Sequence, residues 1–320
     1  MIEAEGLSKR YGATLALDRV GLAVPAGSVV GLLGPNGAGK TTMVRILTTL
    51  ARADEGWARV AGYDVAAQAE QVRRRIGVAA QDATVDELLT GRQNLLMVGE
   101  LSGLRRRQAR DRAGELLDEF ELTEAADRVV KGYSGGMRRR LDLAAALIAH
   151  PPVLFLDEPT TGLDPVARAR VWQQVREMTG GGVTVLLTTQ YLDEADHLAD
   201  QILVIDHGRV IAAGTPPELK RATGTARLEV ALSEPHPAAA TAVASFLDGS
   251  LHTSSDGRRL RGPVRRRAGL VPQVVRALDA AGVAADEVAI HQPSLDDVFF
   301  ALTGHAAVDL DTAQSEQIPA

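Results

Sequence analysis

The chain has 320 residues, 45% of them apolar and 24% charged, with a formal net charge of −6. That length and apolar content suffice for two domains, each with its own core. The absence of cysteine excludes disulfides, iron–sulfur clusters and thiol catalysis, and suits a reducing compartment. Arginine triplets at Arg73–Arg75, Arg105–Arg107, Arg138–Arg140 and Arg265–Arg267 invite a nucleic-acid reading. The acidic balance and 3% aromatic content argue against it, because stacking platforms are scarce. The triplets are read as solvated helix faces, and no nucleic-acid partner is expected. The start, MIEAEGLSKRYG, lacks the apolar core of a signal peptide, and no run approaches the roughly 18 apolar residues of a membrane span.

In chain order, residues 1 to about 214 alternate short β-rich runs with amphipathic helical segments, the pattern of a sheet covered by helices. SVVGLLG (Ser28–Gly34) and VLFLDEP (Val153–Pro159) are continuous apolar runs, as expected of strands buried on both faces. GVTVLLTT and QILVID follow the same pattern. Between Asp82 and Tyr133 the sequence turns helical, with Thr84 and Glu87 placed to form a capping box before LLTGRQNLLMVGELSG. GTPPELK (Gly214–Lys220) punctuates the end of a first domain, drawn at residues 1–221 with a helical subdomain over about 82–140. Beyond it, ARLEVAL, RRLRGPV and VAADEVAIHQ read as strands, with AAATAVASFLD and LVPQVVRALDAAG as the helices between them. That predicts a small α+β domain over 222–304 built as a split β-α-β unit. The polar stretch 305–320 is expected to be a disordered tail.

The chemistry begins at GPNGAGKT. Gly34, Pro35, Asn36, Gly37, Ala38, Gly39, Lys40 and Thr41 fit Gly-x-x-x-x-Gly-Lys-Thr, and Thr42 follows, all between a buried strand and a helical run. Glycines at these places let successive backbone N–H groups turn inward around phosphate oxygens, and the new helix points its N-terminus at the same anion. Lys40 is expected to reach the β- and γ-phosphates, and the Thr41 hydroxyl to bind Mg2+. A second buried strand, VLFLDEP, ends in two acids: Asp157 to hold Mg2+ through water, and Glu158 to take a proton from the attacking water. The chain is therefore read as binding ATP and Mg2+.

The run YSGGMRRRLDLAAALIAHPPVLFLDEPTTGLDP (Tyr133–Pro165) resembles the heart of an ATP-binding-cassette (ABC) ATPase, and the resemblance covers residues 1 to about 215. It implies an α/β fold, an ABC-type P-loop ATPase domain with a mixed sheet core and a helical subdomain, followed here by the small accessory domain. Ser134, Gly135 and Gly136 match the signature motif, with Tyr133 where leucine is usual. Gln81 matches the lid glutamine that contacts Mg2+ and the attacking water. Asp164 matches the loop that crosses between two cassettes, and Tyr11 the aromatic that stacks on adenine. In the family the cradle and the signature meet only across a head-to-tail dimer, so a homodimer of ATPase subunits is the implied working state.

At TTQYLDEAD the family normally places histidine to hold the γ-phosphate; here Gln190 stands there. Glutamine keeps a donor and an acceptor at comparable reach but gives up the option of positive charge. It is read as an active substitution that positions phosphate while Glu158 takes the proton. With LFLDEPTTGLDP and the late PSLDDVFFALTG (Pro293–Gly304), it makes the chain similar to the ATPase subunits of daunorubicin/doxorubicin-type drug exporters, in which glutamine here is common. That likeness implies a separate integral-membrane permease and a peripheral position on the cytoplasmic face of the cell membrane. The competing readings are a soluble ABC ATPase acting on ribosomes or DNA, and an exporter motor for lipid or glycan cargo.

Overall fold

The computed structural model describes residues 1–80, 85–223, 226–264, 269–291, 294–296, 298 and 299. Gln81, Thr84 and the 305–320 stretch lie outside these residues. The described chain divides into two compact units, the first Met1–Pro216 and the second beginning at Pro217.

In the first unit, β1 (Ile2–Tyr11) and β2 (Thr14–Val24) pair antiparallel, and β3 (Val29–Leu33) leads into α1 (Lys40–Leu47). With β4 (Glu55–Val60) and β5 (Tyr63–Asp64) they complete an antiparallel sheet of order β2-β1-β4-β5. After α2 (Ala69–Arg73) and β6 (Ile76–Ala79) come three helices, α3 (Gly91–Leu101), α4 (Arg106–Glu119) and α5 (Gly135–Leu147). The chain then runs through β7 (Val153–Asp157), α6 (Pro165–Gly180), β8 (Thr184–Thr189), α7 (Leu192–Leu198), β9 (Gln201–Asp206) and β10 (Arg209–Gly214), and α8 (Pro216–Thr223) starts at the division and belongs almost wholly to the second unit. The central sheet has the order β10-β9-β3-β8-β7-β6. Its neighbours are parallel except for β10, which runs antiparallel to β9.

Every residue of β3, β7 and β8 is buried, as a sheet covered on both faces requires. Alternate side chains feed two cores, because successive residues of a strand point to opposite faces. Val30, Leu32, Val153, Phe155 and Leu186 pack with Leu17, Met43 and Ile46 on the side of α1 and the antiparallel sheet. Leu154, Leu156, Val185 and Leu187 pack with Leu95, Phe120 and Leu143 on the helical side. The neighbouring strands β3, β8 and β7 bring Gly34, Gln190 and Glu158 to the same sheet edge, the carboxyl end where α/β sheets hold ligands.

The helical segment departs from expectation at its start. Helix α3 begins at Gly91, and its capping box is Thr90 with Gln93; Thr84 lies outside the described residues. The reason lies in Asn94, which is fully buried. Its Oδ1 accepts from the Asp86 amide at 2.7 Å and its Nδ2 donates to the Asp86 carbonyl at 2.9 Å, which holds the preceding residues in a turn. Tyr133 fixes the same corner. Its hydroxyl donates to the Ala125 carbonyl at 2.7 Å, and it lies 2.4 Å from where a Cβ at position 91 would stand. A tyrosine at this point of the signature segment is therefore matched by a glycine on α3.

The arginine triplets also divide. Arg73–Arg75 and Arg105–Arg107 are exposed, as expected of solvated faces, whereas Arg139 of the third triplet is buried. The fourth lies outside the described residues.

In the second unit β11 (Arg227–Leu232), α9 (Ala239–Ala244), β12 (His252–Thr253), β13 (Arg259–Pro263), α10 (Leu270–Ala280) and β14 (Ala285–His291) form a sheet of order β12-β13-β11-β14. All pairs are antiparallel, so β11 and β12 run parallel with β13 between them, a split β-α-β arrangement. Leu228, Val230, Val243, Val274 and Leu278 form its core. Of PSLDDVFFALTG, Leu295, Val298 and Phe299 are buried, while Phe300 and Leu302 lie outside the described residues.

Candidate functional site

The segment between β3 and α1 wraps around the Lys40 ammonium. Lys40 Nζ donates to the Gly34 carbonyl at 2.7 Å and the Pro35 carbonyl at 3.1 Å, and stands 3.5 Å from Glu158 Oε1. Both side chains are buried. Burial pulls the Lys40 pKa below its ordinary value, and the neighbouring Glu158 carboxylate opposes that shift. Gly39 caps α1 at φ 111°, a left-handed conformation, with the Ala16 carbonyl 2.5 Å from where a Cβ would stand. Glycine is required there on both counts.

The two acids stand at the end of β7. Asp157 accepts a short hydrogen bond from the Thr188 hydroxyl of β8. The Glu158 amide in turn donates to Thr188 Oγ1 at 3.2 Å and to the Thr188 carbonyl at 3.1 Å. Glu158 has φ 49°, left-handed for a non-glycine residue, and Thr161 Oγ1 donates to its Oε2 at 3.3 Å. The neighbouring strand thus over-determines a conformation that glutamate rarely takes, as is common where a carboxylate must be aimed.

An open cleft of about 290 Å³ is lined by Asn36, Gly37, Gly39, Lys40, Thr41, Thr42 and Glu158, together with Thr14, Leu15, Ala16 and His207. Gly34, Pro35 and Ala38 supply backbone behind it: the first two hold Lys40, and the Ala38 carbonyl accepts from the Gly208 amide at 2.9 Å. The cradle and Glu158 are therefore brought together as the sequence suggested. Thr14, Leu15, Ala16 and His207 were not anticipated. Thr14 is the cross-strand partner of Tyr11, so the first three were findable by adjacency. His207 gave no sequence signal, since it is placed by the turn between β9 and β10.

A second cleft, about 370 Å³, is lined by Ser134, Gly135, Gly136, Met137 and Arg140 on one side and Gly162, Leu163, Asp164, Val166, Ala167 and Arg170 on the other. Ser134 and Asp164 are both helix N-caps. Ser134 Oγ accepts from the Met137 amide at 3.2 Å, and Asp164 Oδ1 from the Ala167 amide at 2.9 Å. Among the described residues none lines both clefts.

Besides Gly34, Pro35 and Ala38, three expected site residues, Asp157, Tyr11 and Gln190, are in neither lining. Tyr11 is half exposed at the end of β1, with Lys9 Nζ 5.5 Å from its ring centroid. Gln190 follows Thr189, whose carbonyl accepts from the Gly34 amide at 3.2 Å. It is half-buried beside the start of the cradle, and among the described residues its side chain makes no hydrogen bond. Gln81 lies outside the described residues. Among those residues no three His, Cys, Asp or Glu side chains gather into a metal site. The available donors, Thr41 and the Asp157 carboxylate, instead suit Mg2+ held jointly with phosphate oxygens, the usual habit of that ion.

Residues 17–161 match the ABC transporter family. The chain is 54% identical over 316 residues, 98% of both chains, to "Daunorubicin resistance ATP-binding protein DrrA2" of Streptomyces coeruleorubidus. It is 40% identical over 315 residues, 96% of this chain and 87% of the other, to "Nod factor export ATP-binding protein I" of Sinorhizobium fredii. A solved ATP-binding cassette, described as a dimeric post-hydrolysis state bound to ADP and Pi, superposes with TM-score 0.62 at 26% identity, over 67% of this chain and 98% of that one. The chain belongs to the ABC transporter family and is an ABC-type ATPase.

Proposed function

We propose that this ATPase powers a separate integral-membrane permease, as a peripheral subunit on the cytoplasmic face of the cell membrane, and that the cargo is a drug of the daunorubicin/doxorubicin class or a similar hydrophobic compound. The likeness to DrrA2 over 98% of both chains carries this reading, because it includes the second unit as well as the cassette. The absence, among the described residues, of any helix long and apolar enough to cross a membrane fits a crossing supplied by another chain.

In the mechanism we infer, the backbone of Gly34–Thr42 and the Lys40 ammonium bind the β- and γ-phosphates of ATP. When bound, Mg2+ neutralises phosphate charge, with Thr41, Asp157 and Gln81 as its protein partners. Glu158 accepts the proton of the attacking water, and Gln190 hydrogen-bonds the γ-phosphate. Tyr11 stacks on adenine. Ser134, Gly135, Gly136 and Asp164 of a second copy close over the nucleotide, completing a homodimer that ATP holds shut. The 40% likeness to a Nod factor export protein favours a second cargo reading, the same motor driving export of lipid or glycan.

Expression of the chain with its permease should lower cellular accumulation of daunorubicin, and a Glu158→Gln version should not. Equal accumulation with and without the active pair would remove the drug cargo.

A further inference from the structure

Arg139 has no part in the scheme above, yet it is the buried arginine closest to its chemistry. It lies on α5 three residues beyond Gly136 and is 8% exposed. Its Nε donates to the Pro159 carbonyl at 2.7 Å, one terminal nitrogen to the Ala80 carbonyl at 2.6 Å, and the other to the Asp157 carbonyl at 3.2 Å. Asp157 and Pro159 are the two residues that flank Glu158. Ala80 immediately follows β6 and precedes Gln81. One guanidinium thus holds the carbonyls of the residues before and after the acid at φ 49°, and the exit of a neighbouring strand.

A buried cation is costly unless its donors are satisfied. Here the acceptors are backbone carbonyls, and the nearby Asp142 and Asp157 carboxylates favour its charge. A planar fork with donors in fixed directions can meet three carbonyls at once; an ammonium on a flexible stem keeps the charge and some of the contacts but fixes their direction less well. The arrangement is more demanding than anchoring α5 requires, since apolar contacts of Leu141, Leu143 and Ala144 already bury that helix in the core.

We propose that Arg139 is a positioning residue for ATP hydrolysis: it holds the Glu158 turn in its left-handed conformation and ties that turn to the helix bearing the signature motif. This rests on the role given to Glu158 above. Arg139 directs its donors to the three carbonyls and is in the lining of neither cleft, so it acts through the aim of Glu158. Loss of the grip is therefore expected to lower turnover while leaving the cradle, and with it nucleotide affinity, unchanged.

The test compares the purified full chain with Arg139→Met and Arg139→Lys, reading kcat, KM for ATP, binding of a fluorescent ATP analogue, and melting temperature. The expected result for Arg139→Met is a fall in kcat of about 10²-fold, the scale of a small misplacement of a reacting group, with KM and analogue binding within about threefold. Arg139→Lys should recover part of the lost kcat. Parental kcat in Arg139→Met would overturn the proposal, as would parallel loss of nucleotide binding, or unfolding of both variants, since each assigns Arg139 a purely structural role. A parent that fails to turn over ATP would instead overturn the hydrolytic role of Glu158, and this proposal with it.

Discussion

The two clefts of the first unit are both built on helix N-termini, and they differ in how far each is completed from within. At the cradle, α1 starts behind a glycine-capped turn whose lysine is already engaged by two carbonyls and a carboxylate of the same chain. At the signature, α5 and α6 start at Ser134 and Asp164, whose side chains are spent on capping their own helices. Among the described residues no carboxylate or lysine lines that cleft apart from Asp164 itself; the charges there are Arg140 and Arg170, which share Glu121 as an ionic partner. In the proposed mechanism the cradle is a reaction site lacking a lid and the signature cleft is a lid lacking a reaction, two half-sites that complete each other only in a second molecule.

The largest effect that can break this contrast is at Glu158. Glu158→Gln should lower ATP hydrolysis by about 10²–10⁴-fold, the worth of a positioned general base, with nucleotide binding kept. Rapid hydrolysis by that variant would leave the cradle without its assigned base. Next comes Gln190→Ala, expected to cost about 10²–10³ in rate as a lost phosphate donor, while Gln190→His stays active. An alanine variant with the parental rate would assign the positioning to other groups. At the signature cleft, Ser134→Ala removes the α5 cap and should cost about 1 kcal/mol of stability, seen as a lower melting temperature. It should leave nucleotide binding by the single chain untouched, because Ser134 belongs to the other half-site; weakened binding by the isolated chain would merge the two clefts.

The smallest effect concerns Glu194, on α7 just past Gln190. Its carboxyl is fully buried and accepts from Trp172 Nε1 at 3.3 Å. Burial holds its pKa above the ordinary 4.5, so the folded chain keeps a proton there that the unfolded chain releases. Its contribution to stability is complete below pH 4.5 and is lost as pH rises through the raised folded value. Glu194→Gln should flatten the decline of melting temperature as pH rises above 4.5. An unchanged slope would show that Glu194 does not titrate with folding.

How much of this was legible in the sequence differs between the same two regions. The cradle was readable because its function dictates residue types at fixed spacing, and β3 and β7 announce themselves as unbroken apolar runs. The split β-α-β arrangement followed from alternating patterns, although the two-residue β12 was too short to carry one. The start of α3 was misplaced because Thr-x-x-Glu is a local signal, and the deciding contacts run from Asn94 to Asp86 and from Tyr133 to Gly91 across the fold. Arg139 was hidden for a related reason. Three consecutive arginines read as a solvated face, and only the packing of α5 against the end of β7 selects the middle one for burial. His207 was equally silent, since the turn after the neighbouring strand β9, distant in sequence, brings it to the cleft.

The central claim is that cradle and signature complete each other between two copies. It is tested most directly by native mass spectrometry of the Glu158→Gln chain co-assembled with its permease at saturating Mg-ATP. The account predicts an assembly holding two copies of the chain and two trapped nucleotides, and loss of both nucleotides when Gly136→Asp blocks the signature cleft. Stable trapping of one nucleotide by one copy, indifferent to Gly136→Asp, would contradict it.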